Sequence, residues 1–123
     1  MKKTYIITFL TCAVSIALVL MLTGIFRKDA DSTVKVGFIY VGDASTGYTG
    51  NFIAAQKELE TLYQDRVEIM AMYNVAEGTE GEYLQGLVDA GCDIIFSTSY
   101  NYGITTKEFA QRYPDIEFCM ATC

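Results

Sequence analysis

At 123 residues the chain has room for one ordinary domain. Four of its 9 basic residues (Lys2, Lys3, Arg27 and Lys28) bracket an apolar run, and all 15 acidic residues lie beyond them, so the part from Asp29 onward sets five basic residues against 15 acidic and carries a net charge of −10. So acidic a surface excludes nucleic acid as a partner, and the absence of histidine excludes the common catalytic triads and Cys/His metal sites.

Tyr5 to Phe26 is an uncharged run of 22 residues. It exceeds the roughly 7–15 residues of a cleaved signal's apolar core and matches the ~20 that cross a bilayer. Residues 1–28 therefore read as a signal-anchor attached to the membrane through residues 5–26, with a cleaved signal peptide as the alternative. A lipoprotein reading ranks third, because Phe9-Leu10-Thr11 before Cys12 fits a lipobox poorly. Lys2, Lys3 and the terminal amine outweigh Arg27 and Lys28, which places residues 29–123 on the extracytoplasmic side. Residues 29–33 form a polar linker.

Strand and helix patterns alternate from there. Val36–Val41 is an unbroken apolar run, as expected of a strand covered on both faces, with Val34 and Lys35 leading in. Gly42–Gly47 has loop composition. A helix is predicted from Thr49 to Gln64, with Phe52, Ala55, Leu59 and Leu62 on its buried face. The second strand is Val67–Tyr73, placed nearer a sheet edge by Glu68, and Asn74–Gly78 is a turn. The second helix spans Thr79–Ala90 with Tyr83, Leu84, Leu87 and Val88 buried, and Gly91 supplies a left-handed stop. Strand three is Cys92–Phe96, followed by the polar loop Ser97–Gly103. Helix three opens on the capping-box spacing Thr105-x-x-Glu108, buries Phe109 and Tyr113, and ends at Pro114. Strand four is Ile116–Met120. Each pair of strands leaves room for a crossover helix, which predicts an α/β, Rossmann-like parallel sheet. The spacing and placement of the cysteines favour small buried apolar residues over disulfides.

Ligands of open parallel sheets bind outside the carboxyl ends of the strands. This rule selects loops 42–48, 74–78 and 97–103. The first offers Asp43 and Tyr48, with Thr49 just beyond; the third offers Ser97, Thr98, Ser99, Tyr100, Asn101 and Tyr102. Hydroxyls, a carboxylate and aromatic faces suit a small polar ring such as a sugar or nucleoside. Neither nucleotide fingerprint is met around Gly42–Gly47. Asp43 and Asp93 make no acid pair, because they belong at opposite ends of their strands. A binding role, not catalysis, is expected, with no cofactor.

Lys35-Val36-Gly37-Phe38-Ile39-Tyr40-Val41-Gly42 and then Gly47-Tyr48-Thr49 resemble the opening of the basic membrane protein (BMP, PnrA-like) family of solute-binding lipoproteins, which often has Gly-Trp-Thr at the second motif. Asp93-Ile94-Ile95-Phe96-Ser97-Thr98-Ser99-Tyr100 and Phe109-Ala110-Gln111-Arg112-Tyr113-Pro114-Asp115-Ile116-Glu117-Phe118, with Ala121-Thr122 behind it, extend the likeness. The resemblance implies that residues 34–123 are the N-terminal lobe of a periplasmic-binding-protein type I fold. It also implies a nucleoside-like ligand and an ABC permease as partner. Asp43, Tyr48, Thr49, Thr98, Ser99 and Tyr100 would line the ligand site, with Tyr48 stacking in place of the tryptophan. The chain departs from the family in three ways: one lobe instead of two, no lipobox cysteine in place, and Cys123 where glycine is usual. An anchored sensory domain with its own partner, or an inactive truncated fragment, are the alternative expectations.

Overall fold

The computed structural model describes residues 33–122. The predicted signal-anchor, most of the linker, Cys12 and Cys123 lie outside these residues. Among those described, no helix is long and apolar enough to cross a membrane.

Four strands, β1 (Val34–Ile39), β2 (Val67–Met72), β3 (Ile94–Ser97) and β4 (Glu117–Met120), alternate with three helices, α1 (Gly47–Tyr63), α2 (Glu80–Asp89) and α3 (Gly103–Arg112). All pairings are parallel and the order is β2-β1-β3-β4. The expected α/β parallel sheet is present, and Glu68 does lie on an edge strand. The order reverses beside β1, so the chain leaves β1 toward one edge and later returns past it to the other.

Side chains of β1 alternate between two cores, as the two-residue period of a strand requires. Val36 and Phe38, with Tyr40 just beyond the strand, pack with Ile53 of α1. Ile39 packs on the other side with Leu84 and Leu87 of α2, Ile95 of β3 and Phe109 of α3. Helices therefore cover both faces, which is why β1 shows no polar alternation in sequence. A Cβ on Gly37 would lie 2.9 Å from Leu87 Cδ1 and 3.2 Å from Cys92 Sγ, so the bare backbone lets α2 approach. Cys92 is buried in this core.

Helix α2 ends as the sequence predicts. Gly91 has φ +78°. Its N–H donates to Val88 O at 2.9 Å, and Cys92 N–H donates to Leu87 O at 3.1 Å. These two bonds make a Schellman motif, and Leu87 and Cys92 share the core that accompanies it.

Several boundaries and faces differ from the sequence reading. Helix α1 begins at Gly47, two residues before the predicted start, and its buried residues are Thr49, Ile53 and Gln56. Of the predicted stripe, Phe52 and Leu59 are half-buried and pack against this core, whereas Ala55 is exposed and Leu62 is 68% exposed, so the most buried line is rotated from the predicted one. The cause is Tyr40: its buried hydroxyl donates to Gln56 Oε1 at 2.9 Å, and Gln56 Nε2 donates on to Glu60 at 3.1 Å. A glutamine faces the sheet because a buried phenol needs an acceptor. Tyr83, predicted in the buried stripe of α2, is exposed at 37%. The capping box on Thr105 does not form. Helix α3 starts two residues earlier behind a 3₁₀ turn at Tyr100–Tyr102, and Thr105 Oγ1 donates instead to Glu80 Oε1 at 2.6 Å. Ser97, predicted in a loop, closes β3, where its hydroxyl accepts from Thr106 Oγ1 at 2.8 Å. Cys92 precedes β3 and is not part of it.

Candidate functional site

The carboxyl ends of the strands carry three loops that hydrogen-bond to one another. Loop A (residues 40–46) follows β1, loop B (73–79) follows β2 and loop C (98–102) follows β3. Because the strands are parallel, all three emerge at the same end of the sheet. Asp93, at the opposite end, accepts from Lys35 N–H at 2.8 Å through Oδ2, so Asp43 and Asp93 are separated as expected.

In loop A, Asp43 Oδ1 accepts from Ser45 Oγ at 2.6 Å and from Ser45 N–H at 2.9 Å. Oδ2 accepts from Asn74 Nδ2 of loop B at 3.4 Å. The Ser45 hydroxyl, followed by the Ser45 N–H and Asn74, holds the carboxyl below its usual range, so it stays ionised. Backbone bonds reinforce the join: Asn74 N–H donates to Gly42 O at 3.1 Å and Val75 N–H to Tyr40 O at 2.9 Å.

Tyr48 lies in the first turn of α1, not in the loop before it. Its hydroxyl donates to Thr98 O at 2.5 Å, which ties α1 to loop C. The ring meets Phe52 edge to face at 5.2 Å and is 47% exposed. The other named residues divide by burial. Thr49 and Thr98 are each 1% exposed. Thr98 Oγ1 donates to Ile39 O at 2.9 Å, a contact that joins loop C to β1. Ser99 is buried and donates through Oγ to Glu77 Oε1 at 2.7 Å. Tyr100 is 72% exposed. Tyr48 and Tyr100 therefore face outward and Asp43 is half-buried, while Thr49, Thr98 and Ser99 are buried in the scaffold.

Sequence reasoning selected loop B but named no residue in it, and so missed its main contribution. Glu77 accepts from both Ser99 Oγ and Asn101 Nδ2, the latter at 2.8 Å. Glu80, at the start of α2, accepts from Gly78 N–H at 2.6 Å and from Thr105 Oγ1 at 2.6 Å. Burial raises the affinity of Glu80 for a proton, but bonds from Thr105 and from the Glu80 and Gly78 N–H groups together outweigh it and leave the carboxyl below its ordinary value. Tyr102 is fully buried and donates to Val75 O at 2.6 Å; desolvation pushes its phenol up to about 12, so it remains a donor. Glu77 and the buried Tyr102 thus clamp loop B to loop C, and Glu80 ties loop B and the start of α2 to α3. The composition of Asn74–Gly78 signals a turn, but no local pattern reveals partners 22 and 24 residues away.

Beside this clamp a cavity of ≈ 570 Å³ opens over the first turn of α3 and the end of β4. Tyr100, Asn101, Ile104, Lys107, Met120 and Thr122 line it. Most of that lining is apolar, but Thr122 Oγ1 is buried without a hydrogen-bond partner among the described residues.

No protein-family model matches the chain. It is 39% identical over 95 residues to a purine-binding protein of Brucella abortus, an alignment that spans 76% of this chain and 27% of that protein. Among solved structures it resembles an ABC transporter system solute-binding protein from Conexibacter woesei, with a TM-score of 0.59 at 17% identity, over 70% of this chain and 28% of that one. At that identity the likeness is one of fold. The chain thus spans about a quarter of the length of either protein.

Proposed function

We propose that residues 34–123 act as one ligand-binding lobe of a BMP-like solute-binding protein serving ABC import, with a purine base or nucleoside as ligand. The reading rests chiefly on one observation: a chain 39% identical over 95 residues to a purine-binding protein carries a rim of interlocked loops at the carboxyl edge of a parallel sheet, where such ligands bind. Asp43 supplies an ionised acceptor for ring N–H or ribose hydroxyl groups, and the half-exposed Tyr48 and open Tyr100 supply aromatic faces for stacking. Residues 42–49, 73–79 and 97–103 contain no lysine or arginine. The three loops therefore offer no countercharge to a phosphate, and Lys107 of the adjoining cavity is a single cation against a doubly charged group, which favours a base or nucleoside over a nucleotide. The role is one of binding and not of catalysis. Export and attachment through residues 5–26 complete the proposal, on the strength of the 22-residue apolar run.

Residues 34–123 by themselves cover one side of a ligand, so their own affinity is expected to be weak. The test is a titration of the full chain with adenine, adenosine and adenosine monophosphate, followed by chemical-shift changes of the amides in loops A, B and C. Shifts with the base and nucleoside, and much smaller ones with the monophosphate, are expected. An absence of shifts with any of them at millimolar concentration would sink the proposal.

A further inference from the structure

One wall of the cavity over α3 has its chemistry set by a different loop. Asn101 lines that cavity. Its Nδ2 donates to Glu77 Oε2 at 2.8 Å, while Glu77 Oε1 accepts from Ser99 Oγ at 2.7 Å and Ser99 Oγ accepts from Asn101 N–H at 3.3 Å. A carboxylate has acceptors only. Turning the Asn101 carboxamide by half a rotation would aim its oxygen at Glu77 and set two acceptors against each other. The nitrogen is therefore held toward Glu77. The oxygen Oδ1, which has no hydrogen-bond partner among the described residues, is left as an acceptor.

The clamp does not depend on Glu77 alone. Tyr102 to Val75 and Thr105 to Glu80, each at 2.6 Å, hold loop B against loop C and α3 without it. Glu77 itself is exposed. Removing its carboxylate therefore releases the Asn101 side chain while leaving the loops joined.

Resting on the purine reading above, we propose that Glu77 is a positioning residue: it fixes the Asn101 carboxamide so that the cavity accepts a hydrogen bond, selecting a purine with a donor at position six, an exocyclic amine, over one with an oxo group there. Adenine presents that amine. Hypoxanthine has nearly the same shape but places a carbonyl oxygen at the same point, opposite Asn101 Oδ1. The preference of a polar site for one partner over its isostere comes from such unpaired or repelling groups. Lys107, the charged side chain in the lining, would favour the oxo purine if it set the preference instead, so the two influences predict opposite orders.

The experiment uses the full chain and its Glu77→Ala and Glu77→Gln variants. The side-chain amide signals of Asn101 in the ligand-free protein report the lock directly. They should move in Glu77→Ala and stay near the wild-type position in Glu77→Gln, whose carbonyl oxygen still accepts from Asn101 while Ser99 turns to accept from its amide. Adenine and hypoxanthine are then titrated into each protein. The wild type should prefer adenine by roughly five- to tenfold, the difference expected of one hydrogen bond. Glu77→Ala should bring the two within about twofold, and Glu77→Gln should restore the preference. A wild-type preference for hypoxanthine, equal affinities, or an equal loss for both purines in Glu77→Ala would each overturn the assignment. If Asn101 is released by Glu77→Ala but neither purine binds the wild type, the failure lies in the ligand class and not in the positioning.

Discussion

Gly37 and Tyr40 show how single positions decide the packing around β1. A Cβ at Gly37 would press on the Leu87 side chain at 2.9 Å and on Cys92 Sγ at 3.2 Å, so one of them must shift to admit it. Gly37→Ala is expected to lower stability by about 1–3 kcal/mol, the usual cost of overpacking, measured by urea unfolding of the full chain. An unchanged midpoint would mean that α2 shifts away freely. Tyr40 acts in the opposite sense, since its buried hydroxyl draws Gln56 toward the sheet. The residues of the rim also separate under substitution. Thr98→Val removes the bond to Ile39 O and should cost about 1 kcal/mol of stability, with ligand affinity little changed at equal folded fraction. Asp43→Asn should do the reverse, weakening purine binding with a small effect on unfolding. Comparable loss of affinity in both variants would place Thr98 among the ligand contacts.

At the scale of elements, the orientation of α1 gives the sharpest test. Ile53 packs in the core with Val36, Phe38 and Tyr40, whereas Leu62 is 68% exposed. Ile53→Ala should cost about 2–5 kcal/mol, and Leu62→Ala should change stability by less than about 0.5 kcal/mol. Equal costs would support the stripe of Phe52, Ala55, Leu59 and Leu62 read from periodicity. That reading followed apolar residues alone, and a buried glutamine engaged by a tyrosine on another element leaves no apolar mark on the helix. The end of α2 was legible because it is local: Gly91 terminates the helix by its own backbone conformation. Thr105 misled for the opposite reason. Its spacing to Glu108 matches a capping box, but its hydroxyl bonds to Glu80 on another helix.

For the whole molecule, acid stability is expected to depend on Glu80, which ties loop B and the start of α2 to α3. Glu80 has its folded pKa below the ordinary 4.5. A group so depressed contributes stability above its unfolded pKa and loses it as pH falls through the folded one. The expected window therefore lies below about pH 4.5. Unfolding free energy of the wild type should fall more steeply there than that of Glu80→Gln, measured by urea titration between pH 6 and pH 3. Parallel profiles would show that Glu80 titrates alike in the folded and unfolded chains. Attachment is tested at the same scale. If residues 5–26 anchor an exported lobe, external protease should digest residues 29–123 on intact cells expressing the chain; protection until lysis would contradict the proposed orientation.

What the sequence determined by itself is what local chemistry carries. The alternation of apolar runs and amphipathic stretches specifies four strands and three helices, the spacing of strands imposes parallel crossovers, and Gly91 stops α2. The position of the candidate site follows as well, because parallel strands bring loops A, B and C to one end of the sheet. The tertiary structure alone decided the strand order β2-β1-β3-β4, the face α1 presents, and the bonds that join Glu77 to Ser99 and Asn101. Those outcomes depend on pairs more than 15 residues apart, such as Tyr40 with Gln56 and Glu80 with Thr105. Such bonds form only once burial makes an unpaired polar group costly, and the identity of the partner is then set by which elements the fold has brought together.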